Sequence, residues 1–214
     1  MANLLQQLNA EMSGVIESGW RSLVRVGNGE GAGAGTIWHK DGLIITNAHV
    51  AAKRVYRGWG RRTSGASQEL KVTLADGRDF MAKVLAFDEE NDLAALAIEA
   101  NDLPTIEVGN SWVVRPGQWV LALGHPWGVH GAATSGIVIG KGTSLPEMPP
   151  GRDWIALSLH LRPGHSGGPL LDADGKLIGI NTMITGPDVG FAIPVDTVKS
   201  FLRQALGARS GEVV

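Results

Sequence analysis

Short apolar runs, separated by glycine-rich or Asp-Gly turns, occupy most of the chain from Trp20 onward. Runs of this kind predict β-strands, and about a dozen of them at near-regular intervals favour an all-β barrel or sandwich. The 30 glycines among 214 residues suit many tight turns and fit poorly with long helices. Strands are expected at 22–26, 35–39, 43–46, 69–74, 80–88, 93–98, 118–123, 136–140, 155–159, 169–171, 177–184 and 190–193.

Two terminal segments depart from this β pattern. Residues 3–17 carry leucine, methionine, valine and isoleucine at helical spacing, which predicts an amphipathic helix. Docking on the domain is favoured for this helix over a role in joining copies of the chain, and both interpretations stay open. A second helix is expected at 195–206, after Pro194 and before Gly207. The expected organisation is a helical segment over 1–20, an all-β domain over 21–206 and a tail over 207–214.

Composition excludes several classes of function. The net charge of -2 argues against a nucleic-acid partner, because neutralising phosphates needs a surplus of Lys and Arg. The absence of cysteine excludes disulfides, thiolate metal sites and a thiol nucleophile. No apolar run is long enough for a membrane span, and the start lacks the pattern of a signal peptide. As written the chain is expected to be soluble, and its compartment stays unknown.

The motif with the clearest chemistry lies at 162–170 and reads RPGHSGGPL. A serine between glycines can lie in a turn where its own N–H and that of Gly164 point at one spot, as an oxyanion hole requires. The same string could also form an ordinary glycine-rich turn. Ser166 is therefore a candidate nucleophile whose assignment depends on the rest of the chain.

Two further motifs supply a candidate base and a candidate acid. His49 ends an apolar strand in the string IITNAHVA, and Asp92 leads from the acidic turn DEEND into an apolar strand. Alone, a strand-end histidine is more often structural, and acidic turns are usually solvated. Asp92 is preferred over the acidic residues at 88–90 because a residue entering a strand can be buried beside a histidine.

The three candidates follow the order histidine, aspartate, serine, which is the chain order of chymotrypsin-type triads. A serine hydroxyl is a poor nucleophile until a base takes its proton, and the base needs an acid to fix its tautomer and stabilise its charged form. On these motifs the sequence resembles the trypsin-fold proteases of the HtrA (Deg) family over roughly residues 10–206. The matching strings are TNAHV, DLAAL, ALGHPWG, TSGIV, GHSGGPL and GFAIP.

The resemblance implies two β-barrels of six strands each, with the triad in the cleft between them. It implies a serine endopeptidase that cleaves unfolded or damaged proteins through an acyl-enzyme, without cofactor or metal. The oxyanion hole would be formed at Gly164, His165 and Ser166. Family members are often trimers joined through N-terminal residues, so a homotrimer is a further expectation.

Carried over residue by residue, the resemblance also predicts the pocket for the residue before the scissile bond. His160 stands six residues before Ser166, where trypsin-like specificity places an acid, so a small to medium apolar residue is favoured over Lys or Arg. The expected lining residues are His160, Leu161, Thr185, Gly190, Phe191, Ala192 and Ile193.

Some features depart from the family pattern or stay unassigned. His165 stands where the family usually has asparagine and Ser158 where it usually has aspartate, and no PDZ domain is expected in the chain. The basic, aromatic segment 53–62 is interpreted as a solvated loop rather than a substrate-steering patch. His125 and His130 are not expected to bind zinc, because a third ligand at suitable spacing is missing.

Two other functions remain open at this stage. One is a binding or chaperone-like module on the same fold, with the triad out of position or the oxyanion hole collapsed. The other is an esterase. An intact triad favours the endopeptidase over both.

Overall fold

The structure is a computed structural model that describes residues 3–27, 31–57, 60–67, 70–145, 148, 150–185 and 189–207. The helices are α1 Leu4–Arg21, α2 Ala48–Ala51 and α3 Val195–Leu206, with short 3-10 turns at Ser111–Val113 and Pro126–Gly128. The strands are β1 Leu23–Gly27, β2 Ala32–His39, β3 Leu43–Thr46, β4 Ala52–Arg57, β5 Gly60–Ala66, β6 Leu70–Thr73, β7 Asp79–Asp88, β8 Leu93–Ala97, β9 Trp119–Gly124, β10 Ala132–Gly142, β11 Trp154–Ser158, β12 Pro169–Leu171, β13 Leu177–Thr185 and β14 Val189–Pro194.

Two closed barrels of six strands each make up the molecule, and this confirms the predicted fold class. The first closes in the order β1-β2-β3-β8-β7-β6 and the second in the order β10-β11-β14-β13-β12-β9. Apolar side chains that alternate along the strands fill both interiors. Val24, Ile44 and Leu70 lie in the core of the first barrel, and Val120 and Ile155 lie in that of the second.

Helix α1 begins at a capping box, in which Asn3 and Gln6 each accept a hydrogen bond from the other's backbone N–H. It extends beyond the predicted end at residue 17, to Arg21. Gly19 is buried there, at a position where a Cβ would collide with side chains of Leu123 and Leu171. Close packing on the second barrel therefore offsets the low helix propensity of glycine.

The glycine-rich start of β2 and the basic segment after His49 differ from the prediction. Strand β2 begins at Ala32, where the prediction began it at residue 35, and a Cβ at Gly33 or Gly35 would collide with neighbouring valines or Ile44. The basic segment is a hairpin of β4 and β5 rather than a loop. Backbone pairing forms this hairpin, and charge content alone did not reveal it. The prediction of helix α3 at 195–206 is confirmed.

Candidate active site

Strand pairing in the first barrel brings the candidate base and acid to one edge. Thr46, at the end of β3, pairs with Ala94, near the start of antiparallel β8. The chain leaves β3 three residues before His49 and enters β8 directly after Asp92, so both lie beyond the same end of this strand pair. Residues far apart in sequence therefore become neighbours through one β ladder.

The imidazole of His49 lies directly against the carboxylate of Asp92. Nδ1 is 2.9 Å from Oδ2 and 3.0 Å from Oδ1, and the backbone N–H of His49 donates to Oδ1 at 3.0 Å. The side chain of Asp92 is 14% exposed and that of His49 is 45% exposed. This pair fixes one ring nitrogen of His49 on the acid and leaves Nε2 as the nitrogen that can act as a base.

The second barrel contributes a further donor to the same carboxylate. The hydroxyl of Thr182 donates to Oδ2 of Asp92 at 2.6 Å. Thr182 is buried and lies at a bulge of β13, where the register with β14 shifts between Asn181 and Met183. One hydrogen bond therefore joins the two barrels at the acid.

Strand pairing in the second barrel brings Ser166 to the site, as it brings His49 and Asp92 together in the first. Pro169, which begins β12, pairs with Ile180 of β13, so Ser166 and Thr182 lie beyond the same end of that pair. The Ser166 hydroxyl donates to the Thr182 carbonyl at 2.8 Å. Within the described part of the chain it makes no hydrogen bond to His49. The nucleophile candidate therefore lies beside the acid–base pair with its proton on a backbone acceptor.

Strand β2 of the first barrel anchors the serine turn. The N–H of Ala34 donates to the carbonyl of Ser166 at 2.8 Å, and the hydroxyl of Thr36 donates to that of Gly167 at 3.3 Å. Gly167 has φ +87 and packs so tightly on β2 that a Cβ would collide with the carbonyl of Ala34 and the hydroxyl of Thr46. Only glycine fits this close approach with a left-handed backbone.

Backbone donors around Ser166 fall into two groups. Among the described residues, the N–H groups of Gly164 and Ser166 have no hydrogen-bond acceptor, whereas that of His165 donates to the Arg162 carbonyl at 3.0 Å. A turn from Arg162 therefore uses the N–H of His165, whereas the N–H groups of Gly164 and Ser166 stay available. Gly164 has φ +110, and a Cβ there would collide with the carbonyl of His125.

Two buried histidines lie beneath this turn. His165 is 3% exposed, and its Nδ1 lies 3.0 Å from the N and 3.1 Å from the O of Arg162. Burial lowers the pKa of His165, and burial followed by the charge of His130 lowers the pKa of His125 to about 4. The Nε2 atoms of His125 and His165 are buried without a hydrogen-bond partner among the described residues. Both side chains are therefore neutral at physiological pH.

The residues predicted to line the specificity pocket do not share one surface. Leu161 and Ala192 pack in the core of the second barrel, and a Cβ at Gly190 would collide with Leu161. Phe191 and Ile193 alternate to the opposite face of β14, in a cluster with Trp154. His160 is exposed, and Thr185 belongs to β13, with a side chain outside the described residues.

The described residues contain no group of three or more histidine or acidic side chains that could hold a metal ion. The rings of His125 and His130 meet edge to face at 5.6 Å, and burial of His125 explains its contacts without a metal. No described helix combines the length and apolar character needed to cross a membrane.

Two closed barrels with a histidine, an aspartate and a serine gathered between them define a trypsin-like peptidase domain. The family model of that description matches residues 33–180, and the chain belongs to this family. Within it, the sequence is 42% identical over 194 residues to "Protease Do-like 1, chloroplastic" of Arabidopsis thaliana, covering 86% of the chain and 41% of that protein. The resemblance to the HtrA (Deg) proteases is therefore confirmed.

A second relative and a solved structure agree with this assignment. A "probable periplasmic serine endoprotease DegP-like" of Hahella chejuensis is 38% identical over 183 residues, covering 82% of the chain and 35% of that protein. The HtrA-type protease AlgW, solved with a tripeptide, superposes with a TM-score of 0.78 at 30% identity, over 92% of this chain and 64% of that one. The chain thus spans about 40% of the length of the curated relatives it matches.

Sequence reasoning missed two residues that contact the acid. Thr182 lies 90 residues after Asp92 inside an apolar strand, and nothing in its local sequence marks a role. Asn47 stands in the TNAHV string quoted for His49, and its amide donates to the Asp92 carbonyl at 3.1 Å. The polar type of Asn47, directly after the apolar run 43–45 and Thr46, was the available signal.

Proposed function

We propose that this chain is a serine endopeptidase in which Ser166 is the nucleophile, His49 the general base and Asp92 the residue that orients the base. The observation that carries the proposal is the hydrogen-bonded group of His49, Asp92 and Thr182 beside a serine turn with two unused backbone donors. Similarity to curated relatives that are named serine proteases or serine endoproteases supports it. No cofactor takes part.

The reaction begins when the Ser166 hydroxyl leaves the Thr182 carbonyl and turns to Nε2 of His49. His49 takes the hydroxyl proton while Oγ forms a bond to the substrate carbonyl carbon, and the carbonyl electron pair moves to oxygen. The tetrahedral intermediate breaks its C–N bond, and His49 gives its proton to the departing amine. Water then attacks the acyl-enzyme, with His49 taking a proton from it and returning one to Ser166. Asp92 stays ionised and stabilises the imidazolium of His49.

The N–H groups of Gly164 and Ser166 would stabilise the oxyanion formed in both steps. Among the described residues neither donor has an acceptor, so both are available without breaking an existing hydrogen bond. Fixed donors aimed at a developing negative charge contribute about 3 to 4 kcal/mol each to such reactions. The left-handed backbone of Gly164 holds the turn that exposes them.

The proposed substrates are unfolded proteins or peptides, cut after a small or medium apolar residue. At the expected pocket, no acid that could pair with Lys or Arg stands at His160, and the neighbouring Leu161 and Ala192 are apolar residues packed in the core of the second barrel. A homotrimer that uses the N-terminal helix is part of the proposal. Leu4, Leu5 and Leu8, which are 77%, 68% and 49% exposed, give α1 an apolar surface for such a contact.

One observation favours a second candidate, a peptide-binding module that is catalytically inactive in its resting state. The Ser166 hydroxyl is bonded to the Thr182 carbonyl at 2.8 Å and not to His49. If this arrangement persists when peptide binds, the fold would hold substrates without cutting them. The same test separates the two candidates.

The test compares the wild-type chain with Ser166→Ala, using a serine-directed fluorophosphonate and casein digestion. Wild type should become labelled and digest casein, and Ser166→Ala should do neither while remaining folded, because the triad acts as a unit. Ser200→Ala, which removes an exposed hydroxyl on α3, is the matched serine control and should behave as wild type. Binding of casein by an unlabelled wild type would favour the inactive module.

Sequencing the ends of the casein fragments tests the specificity. Valine, alanine, leucine or similar residues should precede most cuts. A majority of lysine or arginine at that position would contradict the apolar pocket around His160 and Leu161.

A further inference from the structure

Asn47 is completely buried, and its side chain reaches across to the acid rather than along its own helix. Its Nδ2 donates to the backbone carbonyl of Asp92 at 3.1 Å, across 45 residues of sequence. Asn47 occupies the N-cap position of α2, where asparagine usually accepts a hydrogen bond from the helix N-terminus. No such side-chain bond forms here, so helix capping does not explain the residue.

The carbonyl that Asn47 holds belongs to a residue in a costly backbone conformation. Asp92 has φ +54, and the described chain contains only two other residues besides glycine with positive φ. The left-handed region costs a residue with a Cβ about 1 to 2 kcal/mol, and it persists where surrounding contacts over-determine it. Four donors meet Asp92: the His49 N–H, the His49 ring, the Thr182 hydroxyl and the Asn47 amide.

Asp102 provides an internal comparison for this conformation. It has φ +55, almost the same as Asp92, but it is exposed. Aspartate enters this region in turns more readily than most residues, so the conformation alone indicates no role. What distinguishes Asp92 is that a buried amide fixes its carbonyl while its carboxylate faces His49 and Thr182.

We propose that Asn47 is a positioning residue: by holding the Asp92 carbonyl it keeps the backbone left-handed and aims the carboxylate at His49 and Thr182. The inference rests on the proposed function of Asp92. Asn47 contacts the acid through its backbone and makes no bond to His49 or Ser166. Its effect on catalysis therefore passes through the orientation of Asp92.

The chain offers a matched pair of substitutions that separates this role from capping. Asn110 also occupies an N-cap position, but there the side-chain oxygen accepts a hydrogen bond from Trp112 at 2.8 Å. Aspartate caps as well as asparagine and keeps the oxygen, but it lacks the amide donor. Asn110→Asp should therefore leave activity unchanged, whereas Asn47→Asp should remove the hydrogen bond from the Asn47 amide to the Asp92 carbonyl. Asn47→Ser removes the amide without adding a charge and should disturb the orientation of Asp92 in the same way.

Two measurements on the full chain decide the inference. The first is the fluorophosphonate labelling rate per folded molecule, which should fall about 10- to 100-fold in Asn47→Asp and Asn47→Ser, as misplacing a catalytic group does. The second is the downfield proton resonance of the His49 ring N–H bonded to Asp92, recorded in a Ser166→Ala background. It should move or disappear in both Asn47 variants and stay unchanged in Asn110→Asp.

A purely structural role predicts a different result. The two Asn47 variants would then lose stability while labelling at the wild-type rate, with the ring resonance unmoved, and this outcome overturns the inference. A wild type that resists labelling would instead overturn the proposed function. The ring resonance in the Ser166→Ala background would still report whether Asn47 orients the acid. Should Asn47→Asp fail to fold, Asn47→Ser provides both readouts.

Discussion

In each barrel a strand pair brings residues to the site, but the two barrels hold these residues by different hydrogen bonds. In the first, β3 and β8 bring His49 and Asp92 to one end of a strand pair, where three contacts join them. In the second, β12 and β13 bring Ser166 and Thr182 to one end of a strand pair, and the serine hydroxyl rests on a backbone carbonyl. The proposed base and acid are assembled within one barrel, whereas the proposed nucleophile, Ser166, is bonded to a backbone carbonyl and not to His49.

Hydrogen bonds between the barrels hold in place the residues that each barrel contributes to the site. The Thr182 hydroxyl fixes the acid from the second barrel, and Ala34 and Thr36 of β2 fix the serine turn from the first. Each barrel therefore holds the reactive group of the other by one or two hydrogen bonds.

The largest effect is expected from the first barrel, on changing Asp92→Asn. An amide cannot hold His49 in the tautomer that a base requires, so kcat should fall by about 10⁴. Asp88→Asn is the matched control, because among the described residues the Asp88 carboxylate bonds only the N–H and amide of Asn91 in the same turn. It should leave the rate near that of wild type. A damaging Asp88→Asn with an active Asp92→Asn would show that the acid is misassigned.

A smaller effect is expected where the second barrel holds the acid. Thr182→Val keeps the shape of the side chain but removes the donor to Oδ2 of Asp92. Hydrogen bonds to charged groups contribute about 1.5 to 3 kcal/mol, so kcat/KM should fall by about 10- to 100-fold. Thr182→Ser retains the hydroxyl and should recover most of this loss. Equal rates for Thr182→Val and wild type would mean that the first barrel orders the acid alone.

The sequence predicts the site residues that stand in recognisable local motifs, and it misses those that act through contacts between distant parts of the chain. Short strings revealed His49, Asp92 and Ser166, because strand ends and glycine turns are local features. Thr182 and Asn47 act across 90 and 45 residues: the pairing of β3 with β8 brings Asn47 to Asp92, and Thr182 reaches Asp92 from the second barrel. The N–H of His165 donates within its own turn to Arg162, which the string of residues alone does not show.

The second barrel should also be the more acid-sensitive one. Burial lowers the pKa of His125 from 6.5 to about 4, so the unfolded chain takes up this proton at higher pH than the folded chain. The free energy of unfolding should therefore fall as pH drops from 6.5 towards 4, by at most about 3 kcal/mol from this group. Urea unfolding of Ser166→Ala at several pH values measures the fall.

Replacing this histidine tests the assignment. His125→Gln should flatten the dependence of stability on pH. An unchanged slope in His125→Gln would mean that other groups cause the acid sensitivity.

The smallest expected effect concerns His165, which stands directly before the nucleophile. Its Nδ1 accepts a hydrogen bond from the backbone N–H of Arg162 at 3.0 Å. An asparagine oxygen can accept the same bond, so His165→Asn should keep near-wild-type activity at neutral pH.

The two enzymes should differ at acidic pH. An unperturbed histidine titrates at about 6.5. Burial lowers the pKa of His165, so its protonation requires a more acidic pH than usual and would place a desolvated cation beneath the donors of Gly164 and Ser166. This protonation should lower kcat/KM at acidic pH, and His165→Asn should remove that part of the fall. Measuring kcat/KM for both enzymes from about pH 5 to 9 decides this. If the two profiles superimpose at every pH, protonation of His165 does not disturb the serine turn. The difference between the barrels would then come from the Ser166 side chain alone.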